Sequence, residues 1–365
     1  MKRHSMTVRM LAVLLTLALL TACGGGGGAA GAGGGTITLR VGSGHADTNP
    51  WIIAFEEHFV QVVGDRVANE TDYNIEWVRA YGGSIITLNN ELEGVEAGLV
   101  DIGAIIIVFE ASRIPLQTMW YIMPFTFPDP AIGAAVYAQI LEEFPEYKLS
   151  YERFNQYYLG MVFSDPYGLF STFPVRALAD VAGTRIGAAG VNISWIEGSG
   201  AAGVMTSVPE GYQNIATNVV DMVILPTRSC LNLQVHEVAP YYLDAGFGAK
   251  PFTAVTINKQ SYHNLPPEVQ RILREVGAEL LDNTTEFMTA LHQESLEYMR
   301  AQGVTVYHLD RREQEAWAAS LGNIVRDDLV PMLNNAGYDG AVVVERVLEL
   351  AEEQGVPRVR DWINE

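Results

Sequence analysis

The chain of 365 residues carries 23 lysine and arginine residues against 43 aspartate and glutamate residues, a formal net charge of −20. Such an acidic excess repels nucleic acid and anionic lipid surfaces, and it favours a protein body that stays in solution. The two cysteines, Cys23 and Cys230, form no C-x-x-C pair and no cysteine–histidine cluster, which argues against a zinc or redox site.

The N-terminus has the pattern of a bacterial lipoprotein signal peptide. Basic residues precede an apolar stretch at 10–20, which is shorter than the about 20 residues that a membrane-spanning helix needs. Small residues then lead into Cys23, an ending that resembles a lipobox. We expect residues 1–22 to be a removed signal peptide and Cys23 to be lipidated with two or more acyl chains, enough for stable anchoring. The alternative is an uncleaved signal anchor.

The segment after this cysteine contains only glycine and alanine up to residue 35. Because such a segment has no side chains to bury and great backbone freedom, we predict a flexible tether over 23–35. The folded part should then begin near Thr36.

From there short apolar strands alternate with longer amphipathic helices, a pattern typical of an α/β fold. Strands are predicted at 37–41, 75–80, 100–108, 157–163, 185–188, 219–225 and 252–257. Helical segments are predicted at 50–68, 88–99, 129–143, 194–203, 210–217, 266–300, 313–336 and 341–354. The helix at 266–300 would reach about 50 Å, which is longer than one lobe is wide, so it should run along two lobes as a spine.

Local enzyme motifs are missing from the sequence. It contains no G-x-S-x-G, no H-E-x-x-H, no phosphate loop ending in G-K, and no G-x-G-x-x-G after a predicted strand. His45 and Asp47 are two potential metal ligands on one loop, which is a weak signal. We therefore predict no catalysis, no cofactor and no metal, although hydrolases need not carry a local motif.

Three segments together resemble one family of binding proteins. They are Y-G-G-S with L-E-G-V-E-A-G-L-V-D-I-G at 81–84 and 92–103, I-M-P-F at 122–125, and E-G-Y-Q-N-I with V-V-D at 210–215 and 219–221. In this order and spacing they are similar to the periplasmic solute-binding proteins of TRAP transporters, the DctP family.

The resemblance implies a two-lobe periplasmic-binding-protein fold, each lobe a sheet flanked by helices. Lobe I would comprise 37–164 with about 243–283, and lobe II 165–242 with about 284–365. A small organic solute would be caught between the lobes and passed to the membrane permease subunits of a TRAP transporter, outside the cytoplasm. Two alternatives stay open: an ABC-type solute-binding lipoprotein without the shared spine helix, and a secreted hydrolase or lyase on a two-lobe frame.

One position departs from the family pattern. Most members carry G-x-K-x-R, whose arginine grips the ligand carboxylate, whereas this chain has Gly187 there. We expect Arg228 to replace it, with His45 and Glu110 as further polar anchors. Aromatic residues are dense near the expected cleft, and three or four should touch ligand; they are Trp51, Tyr81, Trp120, Tyr121, Tyr158, Tyr167, Phe170 and Trp195. This lining favours a monoanionic or neutral, partly apolar organic acid over a four-carbon dicarboxylate.

Overall fold

A computed structural model describes residues 34–365. The predicted signal peptide, the predicted lipidation site at Cys23 and all but the end of the predicted tether lie outside the described residues. The strands are β1 (Thr36–Gly42), β2 (Asn74–Ala80), β3 (Ile102–Ile106), β4 (Gln156–Phe163), β5 (Tyr167–Ser171), β6 (Arg185–Ala188), β7 (Ala202–Met205), β8 (Met222–Pro226), β9 (Tyr241–Gly248), β10 (Pro251–Asn258) and β11 (Thr305–His308).

Helices flank both sheets. The α-helices are α1 (Pro50–Phe55), α2 (Gln61–Glu70), α3 (Glu91–Glu96), α4 (Pro115–Thr118), α5 (Pro130–Glu143), α6 (Glu146–Leu149), α7 (Gly211–Ala216), α8 (Ser229–Asn232), α9 (Lys259–His263), α10 (Pro267–Ala301), α11 (Arg311–Ser320), α12 (Val330–Asn335) and α13 (Gly340–Glu353). A π-helical turn, Glu56–Val60, joins α1 to α2, and short 3-10 turns join several other elements.

The strands form two sheets, one for each lobe. Lobe I has the order β2-β1-β3-β10-β4, and lobe II has the order β11-β9-β5-β8-β6-β7. In lobe I, β1 pairs parallel with β2 and β3, whereas β10 returns antiparallel between β3 and β4. The predicted two-lobe α/β architecture with a long helix is thereby confirmed.

The chain crosses between the lobes after β4 and again after β9. The two crossings lie side by side: the Ser164 N–H donates to the Lys250 carbonyl at 2.8 Å, and the Lys250 N–H donates to the Ser164 hydroxyl at 3.1 Å. The second crossing comes at Ala249 and Lys250, a few residues after the boundary predicted near 243. Two adjacent connecting strands of this kind are suited to a hinge.

Helix α10 is the spine that the sequence predicts. It packs on β4 of lobe I and also meets β11 and α8, which belong to lobe II. The approach to β4 is close at Gly277, where an added Cβ would lie 2.5 Å from the Leu159 carbonyl oxygen. Only glycine therefore permits this helix to lie so near the strand.

The same ion pair is built into both lobes. Arg40 on β1 binds Asp101 through its Nε and Nη2 at 3.0 and 3.1 Å, and Arg185 on β6 binds Asp221 at 3.1 and 2.7 Å. Each aspartate also accepts the backbone N–H of its arginine, at 2.8 Å in both lobes. The aspartates of the two V-D dipeptides in the sequence motifs, Asp101 and Asp221, thus hold the arginine-bearing strands of the two sheets in place.

The predicted helix stripe from Leu88 to Leu99 is shorter in the structure. Leu92 is buried, but the helix ends after Glu96 and the side chain of Leu99 is 47% exposed. The reason is Gly98, which has a φ of 71°, a left-handed conformation that ends a helix. The equally spaced apolar residues therefore do not form one continuous buried face.

Candidate functional site

Seven ring-bearing side chains from both lobes meet where the strand ends converge. We call them the interlobe cluster. Lobe I supplies three of them, from the loop after β1, from α1 and from β10. Lobe II supplies three more, from β5, from β9 and from the segment after β6. The seventh comes from the 3-10 helix Met119–Ile122. The members are His45, Trp51, Tyr121, Tyr167, Trp195, Phe247 and Phe252.

The rings form a continuous chain of contacts across the cleft. The centroids of Trp51 and Phe252 are 4.2 Å apart, those of Phe252 and Tyr167 are 6.5 Å apart, and those of Tyr167 and Trp195 are 5.3 Å apart. None of these four side chains is more than 1% exposed. A buried aromatic core built from both lobes therefore lies where the lobes meet.

Trp195 ties the two lobes together. Its indole N–H donates to the carbonyl oxygen of Tyr121, whose ring stacks on it at a centroid distance of 6.5 Å. Phe247 packs against the same indole at 5.1 Å. Nearby, a Cβ on Gly190 would lie 2.3 Å from the Val108 carbonyl oxygen, so the backbones of the two lobes almost touch.

His45 enters the cluster in a single tautomer. Its Nδ1 accepts a hydrogen bond of 2.9 Å from the Trp51 indole N–H, so the ring proton must sit on Nε2. The Nε2 atom is buried and has no hydrogen-bond partner within residues 34–365. Burial lowers the pKa of His45 to about 3, so the imidazole stays neutral at physiological pH.

A buried carboxyl group holds the loop that carries His45. Glu91 accepts hydrogen bonds from the Ser43 hydroxyl at 2.9 Å and from the backbone N–H groups of Gly44 and Ile106. It thereby fastens the end of β1 to the end of β3. Burial raises the pKa of Glu91 to about 8, and the three donors act against that rise.

Asn192 brings an unpartnered amide to the cluster from lobe II. It lies in the 3-10 helix Gly190–Trp195 and is 0% exposed, yet neither its oxygen nor its nitrogen has a hydrogen-bond partner in the described chain. The Tyr121 hydroxyl is equally unpartnered among those residues. Both groups lie near enough to the Tyr167 hydroxyl to affect its pKa, but neither reaches it with good hydrogen-bond geometry.

Two ionisable groups lie on the lobe crossings. Burial raises the pKa of Asp165 to about 7, and its Oδ2 accepts the Arg228 backbone N–H at 2.6 Å. Burial lowers the pKa of Lys250 to about 7; its Nζ donates to the Met123 carbonyl at 2.9 Å and lies 5.5 Å from the Trp195 ring centroid. The charge of each group therefore changes with pH near neutrality.

Of the residues predicted from the sequence, five are brought together here: His45, Trp51, Tyr121, Tyr167 and Trp195. Arg228 is not: its Nη1 lies 2.9 Å from the Glu294 carboxylate on the spine helix, without hydrogen-bond geometry. The reason is that Arg228 immediately precedes α8, which packs on α10.

Five other predicted residues also lie outside the cluster; among them, Trp120 packs on Phe127 and Tyr158 packs on Tyr151. The Tyr81 hydroxyl donates to the Glu56 carboxylate within lobe I. Glu110 is fully buried beside Arg113, 3.2 Å from its Nε, and burial raises the pKa of Glu110 to about 7. Phe170 faces the other side of β5 from Tyr167 and packs on Tyr242 at 4.8 Å.

The position of the family's arginine is closed by neighbouring side chains. A Cβ on Gly187 would lie 2.9 Å from the Thr206 hydroxyl oxygen and 3.3 Å from a methyl group of Val223. An open groove of about 590 Å³ runs past this point between the lobes, with Val108 and Phe109 on one side and residues 190 and 191 on the other. Gly187 therefore contributes no side chain to this groove, and a larger residue there would require Thr206 or Val223 to shift.

Among residues 34–365 no helix is long and apolar enough to span a membrane. The same residues contain no group of three or more side chains that could hold a metal ion.

Comparisons with known proteins agree with this architecture. The sequence profile of bacterial extracellular solute-binding protein family 7, DctP, matches residues 41–329. The C4-dicarboxylate-binding periplasmic protein DctP of Rhodobacter capsulatus is 29% identical over 119 residues, which are 32% of this chain and 35% of that protein. The match thus spans about a third of the curated relative.

Two solved structures share the fold. A TRAP periplasmic solute-binding protein of Desulfovibrio salexigens, in an open complex, aligns with a TM-score of 0.75 at 21% identity, over 87% of this chain and 96% of that one. DctP7 of Bordetella pertussis, an extracytoplasmic solute receptor binding pyroglutamic acid, aligns with a TM-score of 0.72 at 20% identity, over 87% and 99% of the two chains.

Proposed function

The chain belongs to bacterial extracellular solute-binding protein family 7, the DctP family, and on this premise we propose that it captures a small organic acid between its lobes for a TRAP-type permease. The observation that carries the proposal is the interlobe cluster, a buried aromatic interior with unpartnered polar atoms contributed by both lobes. Buried polar atoms without partners are uncommon in folded proteins, and each calls for a partner such as an ordered water, an ion or a bound solute.

The proposed solute is monoanionic or neutral and partly apolar. A dianion would need strong cationic partners in a buried site, because burying unpaired charge costs far more than burying a neutral group. The cluster offers a neutral imidazole at His45, Gly187 contributes no side chain, and Lys250 beside Trp195 supplies at most one positive charge, which suits a monoanion better than a dianion. The six aromatic rings instead offer apolar surface, worth about 25 cal/mol for each Å² that the solute buries.

We further propose that the protein acts outside the cytoplasm, anchored by lipid at Cys23, and that it performs no catalysis. The tether of glycine and alanine supports a body that moves freely beside its permease subunits. The acidic net charge of −20 keeps that body away from anionic lipid headgroups, so the acyl chains would be the main membrane contact.

Thermal unfolding with a panel of acids tests this function. We expect pyroglutamate or another monoanion with an apolar ring to raise the melting temperature, and succinate to raise it least. A solute present at about 100 times its Kd stabilises the folded state by about 2.7 kcal/mol. Phe252→Leu, within the cluster, should reduce the response, whereas Phe144→Leu, half-buried beyond the end of α5, should leave it intact. A largest response to succinate, or none to any acid, would contradict the proposal.

A further inference from the structure

His45 and Asn192 present unpartnered polar atoms to the same buried interior from opposite lobes. The His45 ring centroid is 6.2 Å from that of Phe252, and the Phe252 centroid is 6.5 Å from that of Tyr167, the ring beside Asn192. Both polar side chains are at least 99% buried. The unpartnered atoms, His45 Nε2 and both amide atoms of Asn192, would cost stability if they served only the fold, because they have lost water without gaining a partner in the described chain.

His45 and Asn192 require different hydrogen-bonding groups on a bound solute. His45 offers a single donor, the Nε2–H, because Trp51 occupies Nδ1. Asn192 offers a donor and an acceptor side by side, since both atoms of its amide are free of partners among residues 34–365. The complement of a primary amide is a group that also has a donor next to an acceptor. A lactam has N–H beside C=O, and a 2-hydroxy acid has O–H beside a carboxylate oxygen.

We propose that His45 and Asn192 are the polar anchors of the site, one from each lobe, and that the solute is a small lactam or 2-hydroxy acid with an apolar ring. This rests on the proposed function and names the solute class. Asn192 pairs with the donor and acceptor edge, and His45 donates to a remaining oxygen of the solute. Specificity then comes from hydrogen bonds between uncharged groups. An analogue that cannot form them binds more weakly, because it leaves the Asn192 amide without partners.

Two matched pairs of probes isolate the solute group that pairs with the Asn192 amide. Pyroglutamate is compared with cyclopentanecarboxylate, and mandelate with phenylacetate. Both pairs keep the charge and ring size; the first removes the lactam N–H and C=O together, and the second removes the hydroxyl. By titration calorimetry the wild-type protein should bind at least one of the first members about tenfold more tightly than its analogue. Asn192→Leu should bring that ratio close to one.

His45 is tested by its own pair of variants. His45→Leu should weaken both members of a probe pair by about tenfold and leave their ratio unchanged. His45→Gln should recover part of the affinity, because its amide nitrogen lies near the position of Nε2. The controls are His263→Leu and Asn264→Leu, both exposed at the end of α9, which should bind as the wild type does.

The stability of the solute-free variants separates a binding role from a structural one. If Asn192 serves the solute, Asn192→Leu should unfold at the same temperature as the wild type or higher, since it removes an unsatisfied polar group. His45→Leu should unfold at a lower temperature in either case, because it also deprives the Trp51 indole N–H of its acceptor. A clear fall in unfolding temperature for Asn192→Leu would overturn the inference.

The binding measurements distinguish a failure of this inference from a failure of the proposed function. Equal affinity for both members of each pair, or discrimination that survives Asn192→Leu, would overturn this inference and leave the proposed function standing. Failure of the wild-type protein to bind any of the four acids, or succinate, would overturn both.

Discussion

Replacing Trp195 with alanine is expected to destabilise the protein by about 3–5 kcal/mol and to abolish its response to solute. The indole is fully buried, stacks on Tyr121, and packs on Tyr167 and Phe247. Its removal leaves a cavity where the lobes meet and deprives the Tyr121 carbonyl of its donor. Chemical denaturation measures the first effect, and the melting temperature with added acid measures the second.

Trp77→Ala is the matched control. Trp77 is half-buried on β2, at the edge of the lobe I sheet and away from the cluster. Its loss should cost less and should leave the solute response unchanged. If Trp195→Ala unfolds within about 1 kcal/mol of the wild type and still responds to solute, the interlobe cluster is not the binding site.

Cys23→Ala is expected to move the full-length protein from the membrane fraction to the soluble fraction. Each buried methylene of an acyl chain contributes about 0.8 kcal/mol to membrane binding, so losing two or more chains removes the main lipid contact. Fractionation of cells that express the variant, followed by immunoblotting, measures the change.

The control is the second cysteine of the chain. Cys230 is fully buried in α8, with its Sγ 3.8 Å from the Ser295 carbonyl oxygen, so Cys230→Ala should remain with the membrane. Retention of the Cys23→Ala protein in the membrane fraction would refute the lipid anchor.

The strands that the sequence predicts best are those whose side chains are uniformly apolar or carry a motif. The predicted bounds of β6 agree with the structure, where Arg185 begins the strand and pairs with Asp221. By contrast, the sequence does not predict β9, because Asp244 and two glycines interrupt its apolar pattern. Burial against β5 makes it a strand all the same.

The site was predictable only in its aromatic part. Large aromatic residues such as Trp51 and Trp195 can be identified from the sequence as candidates for the cleft lining, and the structure places both in the interlobe cluster. Nothing in the sequence distinguishes Asn192 from a surface asparagine. Its importance follows from tertiary packing, which buries the amide without giving it a partner in the described chain. Arg228 illustrates the converse, since the packing of α8 on α10 turns it toward Glu294.

Small-angle X-ray scattering, with and without the acid that gives the largest thermal shift, tests the central claim that solute binds between closing lobes. The two side-by-side crossings at Ser164 and Lys250 allow a hinge, and contacts such as Trp195 with Tyr121 form only when the lobes meet. We predict a smaller radius of gyration for the saturated protein than for the free protein. Identical scattering curves at saturation would contradict the account.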